Sequence, residues 1–325
     1  KNTNTECTIL FIDESSTVNN KDMLDVLNKA FFTLIVLVGD IFQIESIRFG
    51  NWFEISKDFL PRNAIFELTH PWRSKNKDLL DLWDKVRNIE DDISEHIQKN
   101  GYSMNLDESI FENHKDDEII LCLNYDGLYG INNINRFLQA NNPNKSIEWG
   151  SLIYKINDPI LFNETERFGK AIYNNLKGKI VGIKVLDKQI EFEIEIDKVI
   201  NSLSTRFYDF QLVSSDSKKS VISFIVNEFP TTDEDDVSSE AIVPFQVAYA
   251  VSIHKAQGLE YSSVKIVITD EVDEQITHNI FYTAITRAKE ELKIYWSAET
   301  ENKILKNMKR RNNQKDVGLL KSIIN

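Results

Sequence analysis

Two adjacent carboxylates, Asp13 and Glu14, directly follow an apolar run near the start of the chain. The run, Ile9 to Ile12, predicts a short buried strand, and ligands in open α/β sheets bind beyond the carboxyl ends of such strands. A carboxylate pair at that position can bind magnesium beside a nucleotide phosphate and orient a water. The alternative is that the pair caps a helix, since acidic side chains are favoured at helix N-termini.

A crossover helix is predicted after this pair. Thr17 can cap it, and three apolar positions fall at helical spacing: Met23, Leu24 and Leu27. The run Leu34 to Val38 then predicts a second buried strand. A strand, a helix and a strand of these lengths imply a right-handed crossover and a parallel pair.

The second strand also ends on polar residues, with Asp40 and Gln43 following Gly39. Because the strands are predicted to be parallel, we expect both side chains at the same sheet edge as Asp13 and Glu14. An amide carries a donor and an acceptor, so Gln43 could contact a phosphate and a bound water together. An ordinary turn, in which Gly39 supplies an unusual backbone angle, is the alternative.

The middle of the chain predicts a second α/β layer with an antiparallel insertion. Arg73 precedes a helix predicted from Leu79 to Val86, a position from which an arginine can reach a phosphate across a cleft. Residues 118–123 predict a buried strand. From Lys177 to Glu240 the pattern has period two, which predicts a small antiparallel barrel or sandwich. Such a module is either a packing element or a clamp on a single nucleic-acid strand.

The α/β pattern resumes after the insertion. Residues 246–260 predict a helix that ends at Gly258, a usual C′ residue. The later predicted elements are a strand over 264–268, a helix over 279–289, a strand over 292–296 and a helical tail from Glu299.

Composition and charge limit the class of protein. The 325 residues, 42% of them hydrophobic, can form two or three domains, and no apolar run reaches the roughly 18 residues of a membrane span. The net charge of −13 has the wrong sign for simple capture of nucleic acid, which would need a local basic channel. Acidic residues gather in loop-like runs such as 231–236, and basic residues gather over 303–311. Cys7 and Cys122 are far apart, which disfavours a zinc site, and no signal peptide is evident, so we expect a soluble cytoplasmic protein.

Five separated segments resemble, in order, the motifs of superfamily 1 helicases. They are Asp13-Glu14-Ser15-Ser16 (motif II), Gly39 to Gln43 (motif III), Trp72-Arg73 (motif IV), Ser252 to Glu260 (motif V) and Tyr282 to Ala288 (motif VI). The last two are the specific ones, because each is a long string that no fold requirement demands. The His-Lys-x-Gln-Gly form of motif V and the barrel predicted before it are most similar to RecD-like enzymes.

The resemblance implies an α/β fold of RecA-like parallel sheets, with a partial first domain, a complete second domain and an inserted small antiparallel β-barrel. The implied ranges are 1–66 for the distal part of the first RecA-like ATPase domain, 67–176 and 241–298 for the second domain, 177–240 for the barrel, and 299–325 for a C-terminal helical tail.

The resemblance also implies ATP and magnesium as cofactors and single-stranded DNA as partner, with movement from 5′ to 3′. The implied catalytic residues are Glu14 as the base that polarises water, Gln43 at the γ-phosphate, and Arg73 and Arg287 as arginine fingers. The implied magnesium residues are Asp13 and Glu14. Nucleotide binding is implied for Asp13, Asp40, Gly258 and Glu260, and contact with the DNA strand for Ser252, His254 and Lys255.

One departure limits these expectations. The family's phosphate-binding loop, Gly-x-x-x-x-Gly-Lys-Ser/Thr, occurs nowhere in the 325 residues, and its place would lie before residue 1. We therefore expect the C-terminal motor region of a longer helicase, which needs an N-terminal ATPase segment and is inactive in ATP hydrolysis alone. Two alternatives stay open: a helicase-derived scaffold for protein partners, and a superfamily 1 helicase that acts on RNA.

Overall fold

A computed structural model of the chain describes residues 5–45, 50–112, 115–163, 165–201, 208–228, 241–310 and 312–324. The acidic run 231–236 and Arg311 lie outside the described residues, as does the side chain of Cys7. The chain divides into two compact units: unit 1 comprises residues 1–110 and 256–325, and unit 2 comprises residues 111–255. Within the described ranges, no helix combines the length and apolarity needed to cross a bilayer.

The strands, in chain order, are β1 (Thr5–Ile12), β2 (Ala30–Leu37), β3 (Ser103–Met104), β4 (Glu118–Cys122), β5 (Ile147–Trp149), β6 (Leu152–Tyr154), β7 (Pro159–Phe162), β8 (Lys177–Leu186), β9 (Gln189–Ile196), β10 (Gln211–Ser215), β11 (Ser220–Asn227), β12 (Phe245–Val247), β13 (Ala250–Ser252), β14 (Tyr261–Val267) and β15 (Ala288–Tyr295). The α-helices are α1 (Asn20–Lys29), α2 (Trp52–Ser56), α3 (Lys77–Asn88), α4 (Ile93–Lys99), α5 (Ile131–Asn141), α6 (His278–Ile285), α7 (Ala298–Asn307) and α8 (Gln314–Ile324).

Unit 1 contains the predicted parallel pair, which is confirmed. Strands β1 and β2 run parallel, from Thr5 opposite Ala30 to Ile12 opposite Leu37. Their predicted burial is wrong in part, because Ile9 and Phe11 are 46% and 66% exposed. Among the described residues this sheet has two strands, and a two-stranded sheet is only marginally stable by itself.

Helix α1 differs from its prediction at its start and on its inner face. Asn19 caps the helix by accepting a hydrogen bond from the Asp22 N–H at 2.9 Å. Thr17 does not cap it, because its hydroxyl is used in a preceding 3-10 turn, where it donates to the carbonyl of Glu14. Of the three apolar positions at helical spacing, Met23 is buried, whereas Leu24 and Leu27 are exposed. Neither Asp13 nor Glu14 caps α1, so the alternative interpretation of the pair does not apply to this helix.

A second parallel sheet in unit 1 joins β14, β15 and β3. The predicted strands over 264–268 and 292–296 are confirmed as parts of this sheet, with their starts at Tyr261 and Ala288. Helix α6 ends at Ile285 rather than at residue 289, because the chain turns there and enters β15. The indole of Trp83 on α3 donates to the carbonyl of Ile285 at 3.1 Å and ties α3 to the end of α6.

The predicted helical tail is confirmed as α7 and α8. Glu301 on α7 is buried and accepts hydrogen bonds from the side chains of Ser94, Gln98 and Ser103 at 2.8–3.0 Å. Asn51, just before α2, donates to Asp316 on α8 at 3.0 Å. Both helices are therefore attached to the rest of unit 1.

Unit 2 contains the predicted antiparallel module. Its sheet has the strand order β10-β11-β9-β8-β7-β12. In β9 buried apolar residues alternate with glutamates, as a strand with one face in the core requires. The buried residues are Ile190, Phe192, Ile194 and Ile196. The sheet includes β7 and β12, so it is wider than the predicted range 177–240. Closure into a barrel stays a prediction.

The predicted helix over 246–260 is wrong. Residues 245–247 pair antiparallel with β7, and residues 250–252 pair parallel with β4. Val247, Val251 and their neighbours suit a pleated strand as well as a helix, and pairing with one edge of β7 and one edge of β4 decides the outcome. Gly258 follows in a turn with φ +77°.

Candidate active site

The site begins where β1 and β2 end. The Ser15 N–H donates to the Val38 carbonyl at 2.8 Å and the Val38 N–H donates to the Ile12 carbonyl at 2.9 Å, so the two strand ends are joined. Glu14 adopts a left-handed conformation with φ 47°, and its N–H donates to Asp13 Oδ1 at 2.8 Å. Residues other than glycine rarely adopt this conformation, and such strain concentrates at functional sites.

The loop after β2 is organised by Asp40. Its carboxylate accepts from the Phe42 N–H at 3.0 Å and from Gln43 Nε2 at 3.3 Å. Asn279 on α6 donates to the carbonyls of Ile41 and Gln43 at 3.2 and 2.8 Å. The carboxamide of Gln43 is therefore held by Asp40, and the backbone of the same loop is held by Asn279.

Arg287 lies fully buried between α6 and β15. Its Nε donates to the Thr283 carbonyl at 2.9 Å, and Nη1 donates to the Leu259 carbonyl at 3.0 Å. Its Nη2 donates to Gln43 Oε1 at 3.0 Å and to Thr286 Oγ1 at 3.2 Å. Three nitrogens of one guanidinium thus fix its plane and connect it to the loop after β2.

A second arginine lies beside the first. Arg73 donates through Nη1 to the Thr286 carbonyl at 2.8 Å, and through Nε to Glu260 at 3.2 Å. Lys289 approaches the other oxygen of Glu260 at 3.7 Å. Glu260 is therefore an ion-pair partner that holds Arg73, a role that the sequence did not suggest.

The charges of the two strand ends and of the two arginines act on one another. Burial raises the pKa of Glu14; Asp13 and Asp40 add to the increase, whereas Arg287 and Arg73 oppose it. Burial, and then the nearby Arg73 cation, lower the pKa of Arg287 to about 10, so Arg287 stays charged at neutral pH. These four partners of Glu14 lie on separate elements of unit 1.

Asp40, Gln43, Arg73 and Glu260 line a cleft of about 580 Å³ in unit 1, whereas Arg287 is not among its lining residues. Its lining comprises Asp40, Gln43, Pro71, Trp72, Arg73, Trp83, Glu260, Tyr282 and Thr286. Trp72 is 86% exposed, and the ring of His70 contacts it with centroids 4.5 Å apart. Asp13 and Glu14 are not among the lining residues.

Gly258 connects the turn after β13 to Glu14. A Cβ at Gly258 would lie 4.0 Å from Glu14 Oε1, so no side chain separates the two residues. The positive φ of Gly258 is a conformation that glycine adopts without strain.

The carboxylate oxygens at this site fit a magnesium ion that takes its remaining ligands from a substrate and water. Asp13 and Glu14 offer hard carboxylate oxygens at the strand end, and the described residues contain no cluster of three His, Cys, Asp or Glu side chains that could hold a metal by themselves. Magnesium is usually bound by one or two carboxylates together with substrate phosphates and water. Asp13 and Glu14 would be the residues that hold it.

The residues predicted to contact DNA lie in unit 2. Ser252 ends β13, and its Oγ accepts from the Lys255 N–H at 3.1 Å. Lys255 Nζ donates to Gln246 Oε1 at 2.6 Å, and burial lowers the pKa of Lys255. Burial also lowers the pKa of His254, so this imidazole is neutral at pH 7 and can contact a phosphate by a hydrogen bond rather than by charge.

Two supporting residues were missed at the sequence level. Asn279 holds the loop that carries Gln43, and the Thr283 hydroxyl accepts from the Ile44 N–H at 2.8 Å. Thr283 lies within the motif VI string, so its position could have suggested a role. Asn279 precedes that string, and its contact with the loop depends on the fold alone.

Two family profiles match the chain. The UvrD-like helicase C-terminal domain matches residues 247–295, and the AAA domain matches residues 1–102. Among curated proteins, the RecBCD enzyme subunit RecD of Buchnera aphidicola subsp. Schizaphis graminum is 27% identical over 203 residues, which are 61% of this chain and 27% of that protein. An uncharacterized protein of Methanocaldococcus jannaschii is 25% identical over 293 residues, 85% of this chain and 23% of that protein. The chain thus spans about a quarter of the length of these relatives.

Solved helicase structures share the fold. The Pif1 helicase from Bacteroides, in complex with ADP-AlF3 and ssDNA, has a TM-score of 0.55 at 15% identity, covering 97% of this chain and 75% of that one. The Pif1 helicase from Candida albicans has a TM-score of 0.56 at 14% identity, covering 98% and 77%. The fold is thus α/β and RecA-like. By its family profiles and its RecD relatives, the chain is similar in sequence to RecD-like helicases of superfamily 1.

Proposed function

We propose that this chain is the C-terminal motor region of an ATP-dependent helicase or translocase that moves 5′ to 3′ on single-stranded DNA. We further propose that it needs a preceding ATPase segment with a phosphate-binding loop, and that the 325 residues alone do not hydrolyse ATP. The curated RecD relatives and the Pif1 structure solved with ADP-AlF3 and ssDNA support ATP as the substrate and single-stranded DNA as the strand along which the protein moves.

The observation that carries the proposal is the hydrogen bond from Arg287 Nη2 to Gln43 Oε1 at 3.0 Å. It joins the motif VI arginine to the motif III glutamine, which come from distant parts of the chain. If Arg287 only stabilised packing, it would not need to contact Gln43, whose side chain follows β2 in a different sheet.

The chemistry assigned to these residues is transfer of the γ-phosphoryl group of ATP to water. Glu14 takes the proton of the attacking water, whose oxygen bonds to the γ-phosphorus while the bond to the β-phosphate oxygen breaks and ADP leaves. Gln43 orients the water, and Arg287 and Arg73 neutralise the charge that develops on the transferred group. Magnesium, which Asp13 and Glu14 would hold, would neutralise phosphate charge when bound. The raised pKa of Glu14 makes it a stronger base than an ordinary carboxylate.

Surface exposure supports the need for a further segment. Phe31 and Leu34 on β2 are 56% and 52% exposed, and Phe66 and Leu68, before α3, are 86% and 89% exposed. Two-stranded sheets are marginally stable alone, and further strands or helices usually cover such apolar faces. A segment that brings the Gly-Lys-Ser/Thr loop could cover these residues and supply the backbone amides that bind phosphates.

The test compares two polypeptides: the 325-residue chain, and a version extended upstream to include the predicted phosphate-binding loop. We expect ATP hydrolysis stimulated by single-stranded DNA in the extended protein, with kcat in the usual range of about 1–10³ s⁻¹, and none in the shorter chain. Glu14→Gln in the extended protein should abolish hydrolysis while retaining nucleotide binding. Displacement of streptavidin from the 3′ end of an oligonucleotide, but not from the 5′ end, would support the direction.

Each alternative has its own outcome. Turnover by the 325-residue chain in the enzyme range would contradict the need for the segment. An extended protein that binds neither DNA nor RNA and hydrolyses no ATP would favour the scaffold. Stimulation by RNA over DNA at fixed salt would favour the RNA-directed helicase.

A further inference from the structure

Phe42 lies in the loop after β2, between Asp40 and Gln43 in the sequence. Phe42 is half-buried and directly precedes Gln43, and its N–H donates to Asp40 Oδ1 at 3.0 Å. His278 and Tyr282 on α6 contact the ring edge-on, with centroids at 6.2 and 6.1 Å. The Phe42 ring therefore contacts α6, the helix whose Asn279 donates to the carbonyl of Gln43.

Two arginines also lie over this ring. The guanidinium carbon of Arg87 is 4.6 Å from the ring centroid of Phe42, and that of Arg310 is 5.3 Å from it. Both distances are within the range in which a cation is attracted to the face of an aromatic ring. Arg87 belongs to α3, whereas Arg310 comes from the C-terminal tail.

The guanidinium of Arg310 is held at the end of α3. Its Nη2 donates to the carbonyl of Arg87 at 2.8 Å and to Asn88 Oδ1 at 3.3 Å. The last carbonyls of a helix lack partners within the helix, and a cation is favoured there. Arg310 thus caps α3 and contacts the ring at the same time.

The tail that presents Arg310 is anchored. Ile304 and Met308 are 2% and 7% exposed, and Glu301 accepts three side-chain hydrogen bonds from α4 and β3. Lys303 is paired with the buried carboxylate of Asp273 at 2.8 Å. Residues 308–310 therefore follow a fixed helix.

We propose that Arg310 is a positioning residue for Gln43, acting through the ring of Phe42. The catalytic effect of this positioning rests on the proposed function, in which Gln43 orients the attacking water. Arg310 holds the ring, and Asp40 binds both the Phe42 N–H and Gln43 Nε2, so a displaced ring moves the carboxamide away from Arg287. Arg310 is itself exposed, so its role in the core of unit 1 is small.

The test uses two readouts and a matched control. In the 325-residue chain labelled with 15N-glutamine, the side-chain amide signals of Gln43 are identified by their loss in Gln43→Glu. In the extended protein, kcat and KM for ATP are measured. The variants are Arg310→Ala, Arg310→Lys, and Lys309→Ala, which removes the neighbouring exposed cation.

We expect Arg310→Ala to shift the Gln43 amide signals and to lower kcat about 3- to 10-fold with little change in KM. Arg310→Lys should retain most of kcat, because a lysine still places a cation near the ring, and Lys309→Ala should match the parent protein in both readouts. Unchanged Gln43 signals in Arg310→Ala would overturn the proposal, as would unchanged kcat in a hydrolysing parent protein. If the extended parent hydrolyses no ATP, the proposed function fails, and the Gln43 signals alone decide whether Arg310 positions that side chain.

Discussion

Replacing Arg287 by lysine tests both the fold of unit 1 and the assigned chemistry. The guanidinium uses three nitrogens to reach the carbonyls of Thr283 and Leu259 and the side chains of Gln43 and Thr286. A lysine keeps the charge but donates from one nitrogen, so about two of these contacts are lost. Hydrogen bonds to charged groups contribute about 1.5–3 kcal/mol each, and we expect Arg287→Lys to destabilise unit 1 by about 3 kcal/mol. Loss of an arginine finger lowers kcat by about 10³-fold or more, which we expect in the extended protein.

Two measurements separate these effects. Urea unfolding of the 325-residue chain is followed by tryptophan fluorescence, which mainly reports unit 1, because Trp149 is the tryptophan of unit 2 and the other four lie in unit 1. Arg62→Lys, at an exposed arginine, is the matched control and should change neither readout. A change in unfolding free energy below about 1 kcal/mol would refute the hydrogen-bond reasoning. A kcat within about tenfold of the parent protein would refute the finger assignment.

Three further predictions concern other parts of the site and of unit 2. Glu14 should titrate above its ordinary pKa of 4.5 in 13C-carboxyl spectra of the chain, and Asp40→Asn should lower that pKa by removing a nearby negative charge. Because the pKa of Glu14 is raised in the folded state, its contribution to stability is full below pH 4.5 and is lost as the pH rises through the folded pKa. Hydrolysis needs the ionised carboxylate, so its rate falls as the pH drops through the same pKa. A measured Glu14 pKa at or below 4.5 would contradict both expectations. Gly258→Ala and Gly101→Ala both place alanine at positive φ, +77° and +62°, and each should lower the free energy of unfolding by about 1–2 kcal/mol. Only Gly258→Ala should reduce ATP hydrolysis in the extended protein. An equal loss of hydrolysis in both variants would argue against a role of Gly258 at the nucleotide. Asp158→Ala should destabilise unit 2 by about 3–5 kcal/mol in urea unfolding, because the fully buried carboxylate accepts hydrogen bonds from Gln139, Asn142, Tyr249 and the Lys155 N–H; a loss below about 1 kcal/mol would contradict this.

The first strand-helix-strand unit was predictable because its signals are local. Apolar runs that end on polar residues define β1 and β2, and the helix between them implies a parallel crossover. The same reasoning placed Asp13, Glu14, Asp40 and Gln43 at one sheet edge. It could not give the left-handed conformation of Glu14, which depends on the hydrogen bonds that join the two strand ends.

The stretch from residue 246 to 260 shows where local reasoning fails. Its apolar spacing suits a helix, yet β12 and β13 pair with β7 and β4, which lie far away in the sequence. A strand gains its hydrogen bonds from such partners, and no local pattern records whether they are present. Gly258, predicted as the residue that ends this helix, instead lies in a turn with φ +77°.

Residue types at fixed spacing along the chain were enough to order the helicase motifs, to predict the parallel pair that carries two of them, and to show that no phosphate-binding loop occurs within the 325 residues. Other contacts follow from the folded chain alone: Arg287 contacts Gln43, Glu260 holds Arg73, and Arg310 from the tail lies over Phe42. These contacts join residues that are far apart in the sequence, and their geometry is set by how the sheets and helices of unit 1 pack rather than by any local preference.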